Sequence, residues 1–161
     1  MVRLLGAIIC LLLAPQAAQS GDSQCGEAQG GCADSEQVGS PAPAERSVAD
    51  TELQLCSLSP RTGWFRDGYC RTNAADTGRH TVCAQVTQQF LTFTAARGND
   101  LSSPRGRFPG LKPGDRWCLC AVRWAEAYKA GKAPPVDLEA THQRTLRYVN
   151  YEALRSVGRS Q

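Results

Sequence analysis

Hydrophobic residues follow one arrangement twice along the chain: a short apolar run typical of a strand, and then helical spacing. In the first unit, residues 80–86 predict a strand and residues 88–97 a helix that Thr87 caps. In the second, residues 117–122 predict a strand, and the spacing becomes helical from about residue 121 to Gly131. A Cys-Ala step leads into each helical run and a glycine ends it, so a short internal duplication is one hypothesis.

The rest of the pattern predicts shorter elements. An Asp-Gly turn within residues 64–70 indicates a hairpin of two short strands. Residues 136–138 fit an edge strand, Thr141 is expected to cap a helix that ends near Val149, and Asn150 is expected to cap a last short helix. The sequence therefore predicts an α+β fold: a single small domain of short strands and hairpins with three to four short helices.

The first twenty residues have the pattern of a signal peptide and not of a folded element. Arg3 precedes ten apolar residues, and small residues at positions 18 and 20 predict cleavage after Ser20. The apolar run is too short to span a bilayer, so we expect a mature chain without a transmembrane segment, in the secretory pathway or outside the cell. Two alternatives are an uncleaved N-terminal anchor and the first part of a bipartite signal that targets an organelle.

Charge divides the remaining chain into an acidic part and a basic part. Residues 21–51 contain few core-forming residues and predict an acidic, disordered linker ahead of a compact domain at residues 52–160. From residue 56 onward, sixteen basic residues face eight acidic ones, a net charge of +8. A basic domain attracts anions. The basic residues are spread along the chain without interleaved aromatic residues, however, which argues against nucleic acid as the partner.

Two basic loops, residues 66–71 and 105–112, and the polar loop at residues 99–110 are candidates for binding a small anionic ligand or a protein partner. Ordinary turn and surface charges are the simpler explanation of the same residues. The predicted ligand-binding residues are Arg66, Asp67, Asn99, Asp100, Asp115 and Arg116.

Several runs of the chain are similar to a known family. They are TGWFRDGYC, HTVCAQVTQQFLTF, GNDLSSP and FPGLKPGDRWCLCAVRWAEA, and they resemble the domain-of-unknown-function family 2237, which consists mostly of small bacterial proteins. The resemblance covers roughly residues 56–154. It implies one compact α+β domain, and it supplies no catalytic residues because no activity is established for the family. The signal segment and the acidic linker of this chain depart from the typical member.

The cysteines are the residues whose chemistry most exceeds the needs of packing. The domain holds five, and Cys25 and Cys32 bring the mature chain to seven, so at least one domain thiol stays free or bridges outward if those two pair. Residues two apart in a strand share a face, and their Cα atoms lie about 6.5–7 Å apart, which disfavours a disulfide between Cys118 and Cys120. Although the spacing differs from the usual Cys-x2-Cys, four ligands predict a zinc-like site: Cys83, Cys118, Cys120 and either Cys70 or His80.

Two further hypotheses compete with the metal site. The first is a thiol redox protein that uses Cys83 or Cys120. It needs an exposed thiolate beside a positively charged side chain such as that of Arg116. The second is a non-enzymatic binding module with basic loops and structural cysteines, in which His80 and His142 simply pack at a strand start and in a first helical turn. The chain has no Gly-x-Ser-x-Gly, P-loop or His-Glu-x-x-His motif, so the sequence supports no hydrolase and leaves open whether the protein is an enzyme.

Overall fold

The computed structural model describes residues 45–158; the predicted signal peptide, most of the linker, Cys25 and Cys32 lie outside them. The described chain is a small α+β domain with one two-stranded antiparallel sheet and three α-helices. No helix of this part is long and apolar enough to cross a membrane. In chain order the elements are β1 (His80–Gln85), α1 (Gln88–Ala95), β2 (Arg116–Cys120), α2 (Ala121–Lys129), a 3-10 helix (Gln143–Arg147) and α3 (Tyr151–Ser156).

The two strand-helix units predicted from the pattern form the centre of the domain. β1 and β2 pair with each other, and Cys83 lies directly opposite Cys118. The Thr87 side chain caps α1 by accepting a hydrogen bond from the Phe90 N–H at 3.1 Å, as predicted. The predicted duplication does not extend to the cysteines, because Cys83 lies inside β1 whereas Cys120 ends β2.

Both helices of these units bury their apolar faces in the main core. Phe90 and Trp124 have no exposed surface, and the Trp124 indole N–H donates to the Pro134 carbonyl at 3.1 Å. A buried Trp needs such an acceptor because an unpaired N–H in the core costs free energy. Val48 is also buried in this core, so the packed chain begins ahead of the predicted boundary at residue 52.

The segment at residues 64–70 corrects a prediction. It forms turns and bends instead of the predicted hairpin strands. Gly63, Arg66 and Gly68 have φ angles of 90°, 56° and 93°, and each of these left-handed residues turns the chain away from an extended path. Glycine is required at position 63, because a Cβ there would overlap the Tyr69 carbonyl oxygen.

The C-terminal part differs from the prediction at Thr141. The predicted helix from this residue is a 3-10 helix that His142 caps. The Thr141 hydroxyl donates to the Asp137 carbonyl at 2.7 Å and accepts from the Cys83 N–H at 3.1 Å, so it joins the chain to β1 instead of starting a helix. Val136 forms isolated bridges with Ala84 and Gly158, not a strand. The predicted cap of the last helix is confirmed, since Asn150 accepts from the Ala153 N–H at 2.8 Å.

Candidate functional site

Two disulfides fasten residues 56–70, named here the linked loop, to the sheet. Cys56 is bonded to Cys83 on β1, and Cys70 is bonded to Cys118 on β2. Opposite residues of an antiparallel pair point to the same face, so both disulfides lie side by side on one face of the sheet. The Thr62 hydroxyl adds a third tie by accepting a hydrogen bond from the Cys118 N–H at 2.8 Å.

This framework uses most of the sulfur atoms of the predicted zinc-like site. Cys70, Cys83 and Cys118 are all bonded to other sulfur atoms, and a disulfide sulfur is not the thiolate that zinc requires. Cys120 keeps a free thiol and is partly exposed at the start of α2. His80 is engaged with a carboxylate. In this oxidised state the structure does not assemble the four predicted metal ligands.

A cavity of about 420 Å³ opens where the linked loop meets the sheet and the loop between α1 and β2. We name it the aromatic pocket because indole, phenyl and imidazole rings form its walls. The Trp64 ring lies nearly parallel to the His80 ring, with centroids 6.2 Å apart, and Phe108 meets Trp117 edge-on at 5.3 Å. The lining residues used below are Trp64, Arg66, His80, Asp100, Phe108 and Trp117.

Arg66 is the cation of this pocket that has no counter-ion. Its guanidinium lies over the Trp117 ring, 4.9 Å from the centroid, and no ion pair within residues 45–158 includes it. Arg105, by contrast, lies 3.2 Å from an Asp100 oxygen. Hydrogen bonds from the Ser103 side chain and from the Ser102 and Ser103 N–H groups lower the pKa of Asp100 to about 2. Asp100 is therefore ionised and neutralises Arg105.

The second polar feature of the pocket is an Asp-His pair. Asp76 is fully buried, and its Oδ1 lies 2.7 Å from His80 Nδ1. Its other oxygen accepts hydrogen bonds from the His80 N–H and the Thr72 hydroxyl, both at 2.9 Å. Burial acts to raise the pKa of Asp76, but the hydrogen bonds from His80 and Thr72 outweigh it and hold the pKa below its usual value. The carboxylate is thus the acceptor, and Nδ1 carries the imidazole proton.

The backbone beneath His80 fixes the position of its ring. A Cβ at Gly78 would overlap the imidazole, so the ring packs directly against a residue that has no side chain. Within residues 45–158 the other ring nitrogen, Nε2, has no hydrogen-bond partner. His80 exposes 39 % of its side chain and lines the pocket.

The six predicted ligand-binding residues divide into two groups of three. Arg66, Asn99 and Asp100 all line the aromatic pocket, although the Asn99 side chain also donates to the Thr94 hydroxyl at 2.7 Å. The other three support turns and ion pairs elsewhere: Asp67 accepts from the Tyr69 N–H and pairs with Arg71, Asp115 accepts from the Lys112 N–H, and Arg116 pairs with Asp137.

The sequence reasoning missed the walls of the pocket and the partner of His80. Trp64, Phe108 and Trp117 are far apart in the chain, and nothing local indicates that they meet. Asp76 did carry a signal: an aspartate four residues before a histidine, with a glycine between them, in a loop that leads into a strand. Such a loop can fold back and place the carboxylate against the imidazole.

The comparison with known families found one match. The family described as "Uncharacterized protein conserved in bacteria (DUF2237)" matches residues 46–158, which confirms the resemblance. No curated protein matches the chain. All residues that line the aromatic pocket, except Arg105, lie in the runs by which the sequence resembles this family.

Proposed function

Because the chain belongs to the DUF2237 family, whose description states no activity, we propose from the geometry that it is a binding module for a small organic anion. The aromatic pocket is the binding site, and Arg66 is the residue that recognises the charge. The cavity volume of about 420 Å³ falls in the range of small-molecule sites.

The observation that carries this proposal is the environment of Arg66. Its guanidinium lies over an indole at the edge of a partly apolar cavity, is exposed, and forms no ion pair within residues 45–158, so it is accessible to a ligand. An anionic ligand supplies the missing counter-ion and forms charge-assisted hydrogen bonds, which a carboxylate makes with both prongs of the guanidinium.

The backbone of Arg66 supports the same conclusion. Its φ of 56° lies in the left-handed region, which is strained for a residue with a side chain. Such strain persists only where the surrounding structure imposes it, and it is common at ligand sites. Here two disulfides and the Thr62 hydrogen bond hold the linked loop in place. The cysteines therefore serve as the framework of the site, which was one of the alternatives for this sequence.

The walls indicate which anions fit. Trp64, Phe108 and Trp117 offer ring faces and edges to a flat apolar body, and aromatic pairs of this kind stabilise a complex beyond simple burial. The ligand class is thus a small anion with an apolar, planar part, such as an aromatic carboxylate. Inorganic anions would use only Arg66 and bind more weakly.

The test uses the full chain, produced with its disulfides formed, and benzoate as the probe. Amide and indole resonances are followed by NMR during a titration, because Trp64 and Trp117 report on the walls of the pocket. Benzyl alcohol, which has the same ring and no charge, is the matched ligand control. We expect saturable shifts at the two indoles with benzoate and weaker ones with benzyl alcohol.

The matched protein variants are Arg66→Gln and Arg107→Gln. Arg107 is exposed and lies near the pocket without lining it, so its loss reproduces the change in net charge alone. Loss of a charge-assisted contact worth about 1.5–3 kcal/mol weakens benzoate binding about 10- to 100-fold in Arg66→Gln. Absence of binding by the natural chain, or equal losses in both variants, would overturn the proposal.

A further inference from the structure

We propose that the aromatic pocket also hydrolyses carboxylic esters of small organic anions, with His80 as the general base. This inference rests on the proposed function, since Arg66 is to hold the anionic end of the ester. It adds a reaction to a binding site and assigns a role to the Asp76–His80 pair, which binding alone does not need.

The geometry of His80 is that of a positioned base. The imidazole is fixed on three sides: Asp76 at Nδ1, the Gly78 backbone against the ring, and the Trp64 ring in parallel orientation. A surface histidine that merely packs at a strand start needs no buried carboxylate behind it. Asp76 has no exposed surface, and all three of its hydrogen bonds come from Thr72 and His80.

The carboxylate also determines which nitrogen can accept a proton. With Nδ1–H donated to Asp76, the lone pair lies on Nε2, which is without a partner in the described chain. The charged groups around this ring are Asp76 behind it and Arg66 and the Arg105–Asp100 pair in the pocket. Asp76 is the one that compensates the positive charge that His80 gains during the reaction.

The chemical step balances with water as the second substrate. His80 Nε2 takes a proton from a water molecule while the water oxygen forms a bond to the acyl carbon. The bond between that carbon and the alcohol oxygen then breaks, and the leaving oxygen takes the proton back from Nε2. The products are a carboxylic acid and an alcohol, Asp76 stays ionised throughout, and His80 returns to its neutral form.

A second nucleophile lies close enough to need a control. Cys120 is the register partner of His80 across the sheet, and side chains of such pairs are neighbours. The proposal assigns the attack to water, so Cys120→Ala is expected to keep the hydrolytic rate. Loss of hydrolysis in that variant would overturn the assignment to water.

The test measures release of 4-hydroxybenzoate from 4-acetoxybenzoate, an ester that carries the carboxylate proposed to bind Arg66. We expect the natural chain to exceed an equal concentration of free imidazole by about 10²-fold, the lower range for a positioned general base. His80→Ala abolishes the excess, and added imidazole restores part of it by entering the space beside Gly78. A dispersed amide NMR spectrum of His80→Ala, with both disulfides formed, shows that the variant is folded.

Asp76 is a positioning residue, and its test needs a readout that a purely structural role would not move. In Asp76→Asn the wrong ring nitrogen carries the proton, so kcat falls by up to about 10²-fold, the whole excess over free imidazole, while KM for the ester stays nearly constant. Equal changes in kcat and benzoate affinity would instead indicate a collapsed pocket and contradict the positioning role.

The two proposals fail in different ways. If benzoate binds and 4-acetoxybenzoate is hydrolysed no faster than with free imidazole, the hydrolase inference is overturned and the binding module stands. If the natural chain hydrolyses the ester and His80→Ala does so equally well, the base is not His80. If neither compound binds, both proposals are wrong.

Discussion

The linked loop and the strand-helix scaffold, which consists of β1, α1, β2 and α2, differ in how they hold most of their aromatic residues. In the scaffold, Phe90, Trp117 and Trp124 are buried, and Tyr128 at the end of α2 is the exposed exception. In the linked loop, Trp64, Phe65 and Tyr69 expose 41, 44 and 36 % of their surface. The scaffold is thus stabilised by burial, whereas the loop is stabilised by two disulfides and by hydrogen bonds such as that of Thr62.

This contrast explains why the pocket lies where the two regions meet. A segment that need not bury its rings can present them to a ligand, provided that something else holds it in one conformation. Covalent ties to adjacent positions on β1 and β2 do so at little cost in buried surface. The scaffold contributes the rigid half of the site, His80 and Trp117, on its two strands.

Removal of the Cys70–Cys118 disulfide should have the largest effect, because it takes away one of the two covalent bonds that stabilise the linked loop. The bond closes a loop with a sequence separation of 48 residues, and the chain-entropy relation gives a loss of about 4 kcal/mol for Cys70→Ala/Cys118→Ala. The free energy of unfolding from urea titration measures it. Hydrogen exchange should show the linked loop losing protection before β1 does.

The matched comparison is Cys56→Ala/Cys83→Ala, whose separation of 27 residues gives about 3.5 kcal/mol. A loss below about 1 kcal/mol in either double variant would mean that contacts other than the disulfides hold the linked loop.

Acidic pH should lower the free energy of unfolding through His142, which packs on the scaffold. His142 is buried against β1, and its N–H donates to the Thr81 carbonyl at 3.0 Å. Burial, and secondarily Arg144, lower the pKa of His142 to about 4, from 6.5. The unfolded chain therefore binds a proton between these values and the folded chain does not, so stability is complete above pH 6.5 and falls as the pH approaches 4.

We expect a loss of about 2 kcal/mol between pH 7 and pH 4.5 from this residue, less than the full shift implies because the Glu45 carboxylate lies near Nε2. The distance between His142 Nε2 and Glu45 Oε2 is 3.8 Å. Urea titrations at the two pH values, with His142→Gln as the control, measure it. Equal pH dependence in the two proteins would show that His142 is not the group responsible.

The smallest expected change in stability concerns the N-terminal cap of α1 in the scaffold. Thr87→Ala removes the side-chain acceptor of the Phe90 N–H and should lower the free energy of unfolding by about 1 kcal/mol. Thr87→Ser keeps the oxygen and should restore most of that stability. Neither variant should change benzoate affinity, because Thr87 lies outside the pocket. A change in affinity would show that the two regions are coupled more tightly than the contrast implies.

The scaffold was predictable because its signals are local. The apolar strand runs and the Thr87 cap, like the Asn150 cap of α3 outside the scaffold, each depend on residues within about four positions, and all three are present in the structure. The predictions failed where a residue distant in the sequence determines the local structure. Thr141 looked like a helix cap, yet its hydroxyl is used by Asp137 and Cys83.

The linked loop was predictable only in part. Its Asp-Gly step indicates a hairpin, but left-handed residues at positions 63, 66 and 68 and the bonds of Cys56 and Cys70 to separate strands impose another path. The sequence singled out Arg66, Asn99 and Asp100 because of their loops and charges. Their meeting with Trp117 depends on strand register and disulfide pairing, and with five domain cysteines the sequence alone does not determine that pairing.

The order of the disulfides along the chain has a consequence for proteolysis. The bonds interleave, because Cys70 lies between Cys56 and Cys83, and Cys83 lies between Cys70 and Cys118. A protease that cuts one peptide bond anywhere from residue 56 to residue 118 therefore leaves two fragments joined by at least one disulfide. Such a molecule gains one water in mass and migrates as a single chain until it is reduced. The exposed rings at the pocket can thus lie in a cleavable loop without a single cut releasing either half of the site.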